Sequence, residues 1–157
     1  MNVNDRMYEC AKIASNLSGV PAEWIYAQWA HESTNVTEGD PDHGQRFKSE
    51  LARDNNNFGG LTQVESNGEE NHQPDGRFYY MKFESPEAYA IYFGKYIRKY
   101  FPLAAASQTL PEYAHNLKHQ PDSDSGEEYG YYGDSEENYL AGTTKAHNEA
   151  FGDADEQ

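Results

Sequence analysis

The chain lacks much of what small catalytic and binding modules are commonly built from. Its 157 residues include one cysteine, Cys10, so no intramolecular disulfide can form and packing alone must hold the fold. Cys10 falls on the apolar side of a helical pattern and reads as a core thiol. Basic residues are scarce: 12 Lys and Arg stand against 27 Asp and Glu, a formal charge of -15. That balance disfavours nucleic acid and anionic membrane as partners, because phosphate recognition rests on Lys and Arg. No apolar run approaches the ~18 residues of a membrane span, and no basic segment leads into an apolar stretch near Met1 as in a secretory signal. A Gly-rich phosphate loop, a nucleophile elbow and a Cys/His pair are all missing, which argues against nucleotide and acyl-transfer chemistry. Asp40-x-Asp42 and Asp122-x-Asp124 begin like calcium loops but lack the Gly and Glu that complete one. His31, His43, His72, His115, His119 and His147 show no zinc spacing, since His115 and His119, four apart, lack the intervening Glu. Neither metal nor cofactor is expected.

What the chain does have is rings. Hydrophobic residues make up only 36% of it, yet aromatics reach 14%, with 13 Tyr. The apolar area therefore comes from large side chains with polar tips, which suit a core and equally a sugar-binding groove. The length is that of one domain, able to bury about 68–70% of its unfolded surface. Residues 1–151 are read as that domain and 152–157 as a frayed acidic tail.

The apolar positions Met7, Cys10, Ala11, Ala14 and Leu17 predict a helix from Asn4 to Leu17 that Gly19 can end in the left-handed conformation. Pro21 opens a second helix to about Glu32. Phe47 to Arg53 reads as a short helical piece after the turn residues 38–44. Leu61–Val64 and Phe78–Phe83 read as two short strands around a polar loop, a small hairpin lobe. Ser85-Pro86-Glu87 starts a helix whose stripe of Tyr89, Tyr92, Phe93, Tyr96, Ile97 and Tyr100 reads as core and ends before Pro102. A helix from Pro111 to Lys118, an acidic loop from Gln120 to Glu128 and a last helix capped by Ser135 and reaching Phe151 complete a mainly α, α+β chain.

Two segments carry chemistry. Glu32 closes the aromatic-rich helix at Trp29-Ala30-His31-Glu32-Ser33. The partial negative charge of a helix C-terminus and desolvation by Trp24, Ile25 and Trp29 both favour the protonated carboxyl, as a proton donor to a leaving oxygen requires. Gln28, one turn earlier, is placed to orient that carboxyl or to contact a sugar. His31 points elsewhere by helical geometry. Asn55-Asn56-Asn57-Phe58-Gly59-Gly60 is a turn in which Asn and Gly tolerate positive φ and let backbone approach a ligand, while Phe58 anchors it in the core.

Glu32-Ser33, then Leu51-Ala52, then Asn55-Asn56-Asn57-Phe58-Gly59 resemble, in their order, the A-x-x-E-S, L-A and N-N-x-F-G signature of the lysozyme-like glucosaminidases of glycoside hydrolase family 73. Tyr113-Ala114 with Leu117, then Gly130-Tyr131-Tyr132-Gly133-Asp134 and Tyr139, are similar to that family's closing pattern, so the resemblance runs from about Ile13 to Phe151. It implies a lysozyme-like helical domain with a β-hairpin lobe flanking an active-site cleft, and an endo-β-N-acetylglucosaminidase acting on the glycan strands of peptidoglycan. It gives Glu32 as general acid, Tyr131 as the cleft tyrosine, and Asn57, Phe58 and Gly59 as the cleft floor, with Gln28 and Tyr132 as further substrate contacts. The family's second glutamate falls in the lobe, where Glu65, Glu69 and Glu70 are available; Glu65 leads and Glu69 follows, while assistance by the substrate's own acetamido group is the alternative. The family's usual Gly after E-S is Thr34 here. An N-acetylmuramidase acting on the same strand, and a non-catalytic wall-binding or phage-tail module, are the competing readings. The implied protein is a monomer delivered to the cell wall by a phage tail, a holin or a larger chain.

Overall fold

The computed structural model describes residues 2–62 and 80–152. Among them 56% are helical, in seven helices, beside one small two-stranded antiparallel sheet. The chain forms two compact units, Met1–Gln28 with Ala90–Gln157, and Trp29–Tyr89.

The first unit holds α1 (Asp5–Ser18), the start of α2 (Ala22–Glu32), most of α4 (Pro86–Tyr100), α5 (Pro102–Ala105), α6 (Leu110–Lys118), the strands β1 (Gln120–Pro121) and β2 (Glu128–Tyr129), and α7 (Glu136–Phe151). Side-chain caps set its helix starts: Asn4 accepts from Met7 N, Thr109 from Glu112 N and Ser135 from Asn138 N, each satisfying one of the orphan donors of a first turn. Gly19 ends α1 with φ 88°, its N–H donating to Ser15 O, as its left-handed freedom predicts. Gly94 lies where α1 and α4 cross, and a Cβ there would sit 2.8 Å from Leu17 Cβ and 2.9 Å from Ala14 O. The core is built on Cys10, Ile25, Phe93, Ile97, Phe101 and Leu117, all buried. An aromatic group of Tyr8, Tyr26 and Phe151 ties α1, α2 and α7 together, with ring centroids 5.3–6.2 Å apart.

Three elements of this unit differ from the sequence expectation. The stripe on α4 is only partly core: Phe93 and Ile97 are buried, but Tyr92, Tyr96 and Tyr100 line a surface groove with Lys95 and Lys99. Pro102 does not simply follow the end of α4; it opens the short α5, whose first turn tolerates its missing N–H. The sheet lies in the acidic segment read as loop, with Gln120 paired to Tyr129 and Pro121 to Glu128. What makes it is turn chemistry rather than apolar alternation. Asp122 Oδ1 accepts from Asp124 N at 2.8 Å and Ser125 N at 3.0 Å, Gly126 takes φ 76°, and Asp122 N returns to Glu127 O at 2.7 Å.

The second unit contains the end of α2, α3 (Glu50–Asn55) and the start of α4. Its core is aromatic. Trp29, Phe58 and Phe83 each meet the Tyr89 ring edge-on, with centroids 5.2–5.4 Å apart, and Phe47 meets Phe58 at 6.2 Å. Helix α3 starts later than the apolar pattern suggests, because Phe47 takes φ 62° and Ser49 is the cap, accepting from Ala52 N. Of the expected hairpin lobe, the base is seen as an antiparallel bridge between Thr62 and Tyr80, with Met81 N donating to Leu61 O at 2.9 Å. Residues 81–83, expected to continue the second strand, carry no strand, and residues 63–79 lie outside the described residues.

Candidate functional site

Glu32 is the last residue of α2 and is partly buried, with its Oε2 shielded from solvent. The backbone beyond it is held by hydroxyls. Ser33 Oγ donates to Trp29 O at 2.6 Å and Thr34 Oγ1 to Ala30 O at 2.7 Å, so two of the helix's last carbonyls gain partners. Thr34 Oγ1 also accepts from Arg46 at 2.8 Å. Positive φ outside glycine occurs at Phe47 and Asn56 among the described residues, not at Thr34. The chain therefore turns here without needing a glycine, and threonine adds two bonds that glycine could not make. Asn35, buried, staples the following loop by donating from Nδ2 to Lys48 O at 2.8 Å and accepting from Thr37 N at 2.9 Å, while Lys48 N and Ser49 N both reach Ser33 O. The segment after Glu32 is thus tied to the entry of α3, which keeps the carboxyl on a fixed support.

The Asn run in the same unit is built differently from its sequence reading. Asn56 alone among its asparagines takes positive φ, at 49°, as the left-handed cap of α3, and Gly60 takes φ 67°. All three asparagine amides grip the segment that leads into α4: Asn55 Nδ2 and Asn57 Nδ2 donate to Met81 O at 3.2 and 3.0 Å, and Asn56 Nδ2 to Phe83 O at 2.9 Å. Asn57, 1% exposed, also donates to Leu61 O at 2.9 Å and accepts from Leu61 N at 3.0 Å. Asn57 and Phe58 are therefore internal supports of the turn, and Gly59 and Gly60 are its more exposed part.

In the other unit, Gln28 is fully buried and its Oε1 accepts from Tyr113 Oη at 2.6 Å. Its Nε2 meets no hydrogen-bond partner among the described residues. A side chain with no exposed surface does not offer the direct sugar contact expected of it. Trp24 packs on the same Tyr113, ring centroids 5.8 Å apart. Tyr131 is half-buried, its N–H donating to Leu117 O at 2.7 Å and its ring edge-on to Phe93 and Phe101. Tyr132 is a packing residue in this arrangement. Its ring stacks on Tyr139 at 3.7 Å, Lys118 Nζ lies 4.9 Å from its centroid, and its hydroxyl donates to Ala114 O at 2.8 Å. Burial, then the nearby Glu136 and Asp134, push that phenol well above its ordinary range. Glu65, Glu69 and Glu70 lie outside the described residues.

One group that sequence spacing passed over is assembled here. His115 and His119, four apart on and just beyond α6, meet Glu136 from the first turn of α7, and one ligand atom from each lies within 4.8 Å of the others. The histidine pair was visible in the sequence; the carboxylate was not, because another element supplies it.

No family model, no curated protein and no solved structure matches the chain. Among the described residues no helix is long and apolar enough to cross a membrane.

Proposed function

We propose that this chain is a lysozyme-like peptidoglycan hydrolase that cleaves a β-1,4 glycosidic bond of the glycan strand, of the N-acetylglucosaminidase type, with Glu32 as general acid. The observation that carries the reading is the setting of Glu32: a carboxyl at a helix end, half-exposed, with one oxygen shielded and the backbone after it stapled. A group that must hold a proton and deliver it to a leaving oxygen needs that combination of access and shelter. The helix-rich fold and the antiparallel bridge at Thr62 and Tyr80 are in keeping with a lysozyme-like architecture.

In the proposed reaction Glu32 protonates the glycosidic oxygen as the bond breaks. The oxocarbenium-like centre is stabilised by a lobe carboxylate, Glu65 or Glu69, or by the substrate's acetamido oxygen, and water completes hydrolysis. The test is loss of turbidity of purified sacculi. Glu32→Gln, nearly isosteric, should keep the helical circular dichroism spectrum and lose ~10²–10⁴-fold in rate; clearing at the wild-type rate would refute the reading. Mass spectrometry of the released fragments then fixes the bond, with N-acetylglucosamine at the reducing end for a glucosaminidase and N-acetylmuramic acid for a muramidase.

A further inference from the structure

His119 presents both ring nitrogens to carboxylates: Nδ1 lies 3.1 Å from Glu128 Oε2 and Nε2 lies 3.4 Å from Glu136 Oε1. A neutral imidazole can donate at only one of its nitrogens, so the other would face a carboxylate oxygen lone pair to lone pair. A further proton or a cation between ring and carboxylate removes that conflict. His115 sharpens the requirement, because its Nδ1 is 3.0 Å from the same Glu136 Oε1. The two imidazole rings are only 4.7 Å apart, centroid to centroid. One cation among the three ligand atoms, which all lie within 4.8 Å of one another, satisfies these contacts together. The neighbouring Lys118 is not that cation, since its ammonium donates to Asp134 O at 2.7 Å and lies over the Tyr132 ring.

We propose that His115, His119 and Glu136 form a binding site for a divalent transition-metal ion, Zn²⁺ or a first-row neighbour, with Glu128 orienting His119 from behind. The distances suit it. Ligand atoms bound tetrahedrally to zinc at about 2.0–2.1 Å stand about 3.3–3.4 Å from one another; the two nitrogens here are 3.0 and 3.4 Å from the shared oxygen. Glu128 plays the part of the carboxylate that accepts the other N–H of a metal-bound histidine, fixing its tautomer and ring direction. The donor set selects the metal, because imidazole nitrogen favours zinc, nickel and copper over calcium and magnesium. Three protein ligands on a partly exposed surface leave room for water in the remaining position. The ion would join the end of α6, strand β2 and the start of α7. The site is independent of Glu32 and of the glycosidase reading.

The test is calorimetric titration of the full chain, stripped with a chelator and dialysed, with Zn²⁺ in a non-coordinating buffer at neutral pH. One ion per chain is expected, with a rise in Tm that grows with zinc concentration. His115→Ala and His119→Ala should each weaken binding at least tenfold, and Glu128→Gln by about 10–100-fold, while His43→Ala leaves it unchanged. Ca²⁺ and Mg²⁺ should neither bind at this site nor displace zinc. Absence of stoichiometric binding to the wild type would overturn the proposal whatever the variants do. So would binding that survives in the folded His115→Ala/His119→Ala double variant, and the cluster would then be an ion-pair network only.

Discussion

Replacing Asn57 by Ala should destabilise the protein by about 2–6 kcal/mol, a value that follows from which groups keep a second partner. Asn57 donates from Nδ2 to Leu61 O and Met81 O, and its Oδ1 accepts from Leu61 N. After truncation Leu61 O still accepts from Met81 N, and Met81 O still accepts from Asn55 Nδ2. Each of these carbonyls loses one bond of two, a net cost of about 0.5–1.5 kcal/mol apiece. Leu61 N has no other acceptor among the described residues. Leaving that buried N–H unpaired costs about 1–3 kcal/mol more.

The sum is a large part of the ~5–15 kcal/mol by which a domain is stable. Urea unfolding followed by circular dichroism and tryptophan fluorescence should show the midpoint falling with little change in slope. Asn55→Ala is the internal control: it removes one bond of 3.2 Å to a carbonyl that Asn57 still serves, and should cost no more than about 1.5 kcal/mol. Asn57→Asp should be at least as harmful as Asn57→Ala at neutral pH, since it sets a carboxylate oxygen against two carbonyls. A loss below about 1 kcal/mol for Asn57→Ala would refute the assignment of this side chain as the hub of the turn.

Further outcomes follow from packing and charge. Gly94→Ala should lower Tm, because its Cβ would lie 2.9 Å from the backbone oxygen of Ala14; overpacking of about 1–3 kcal/mol exceeds the ~1 kcal/mol that alanine gains as a helix former, and a higher Tm would refute the close crossing. The hydrogen bond from Asp42 N, then those of Asn35 and Arg53, hold the Asp40 carboxyl below its ordinary range. A depressed folded value stabilises above the unfolded pKa of ~3.9 and is lost as pH falls through the folded one. The stability difference between wild type and Asp40→Asn should thus be full at neutral pH and shrink below about pH 4; a pH-independent difference would count against it. Burial, then Tyr92, Tyr100 and Tyr129, raise Tyr96 to about 12. A raised value stabilises below the unfolded ~10 and is lost as pH climbs toward the folded one, so wild type should lose stability between pH 10 and 12 and Tyr96→Phe should lose less, as alkaline unfolding curves will show.

Helix positions were legible because their signals are local. Gly19, Ser85 and Ser135 act within one turn of their own residues, and each caps or ends a helix as read, Ser85 Oγ accepting from Ala88 N at 3.1 Å. Features set by distant partners were not. Nothing in the spacing of α4 separates buried Phe93 from half-buried Tyr96, since both belong to one apolar stripe. The β1–β2 pairing escaped for the opposite reason: its residues carry no apolar alternation, and an Asp-Ser-Gly turn produces it. The metal-ligand cluster shows the same limit, with the two histidines four apart on and just beyond one helix and their carboxylate seventeen positions beyond the second, on another element.

The Asn run changes what a ligand could touch in that turn. Residue types read as giving the backbone freedom turn out to spend their side chains inward, on Leu61, Met81 and Phe83, so the amides of Asn55, Asn56 and Asn57 are committed before any sugar arrives. If the turn lines a glycan site, the contacts must come from the Gly59–Gly60 part, where no side chain stands between backbone and ligand. Substitutions at Asn57 should then lower activity only as far as they unfold the protein. At a temperature where the variant is still folded, its KM should match that of the wild type, whereas Gly60→Val, which strains φ 67° and covers the exposed face, should raise KM. A folded Asn57→Ala with a raised KM would return the asparagine amide to the ligand and make its internal bonds secondary.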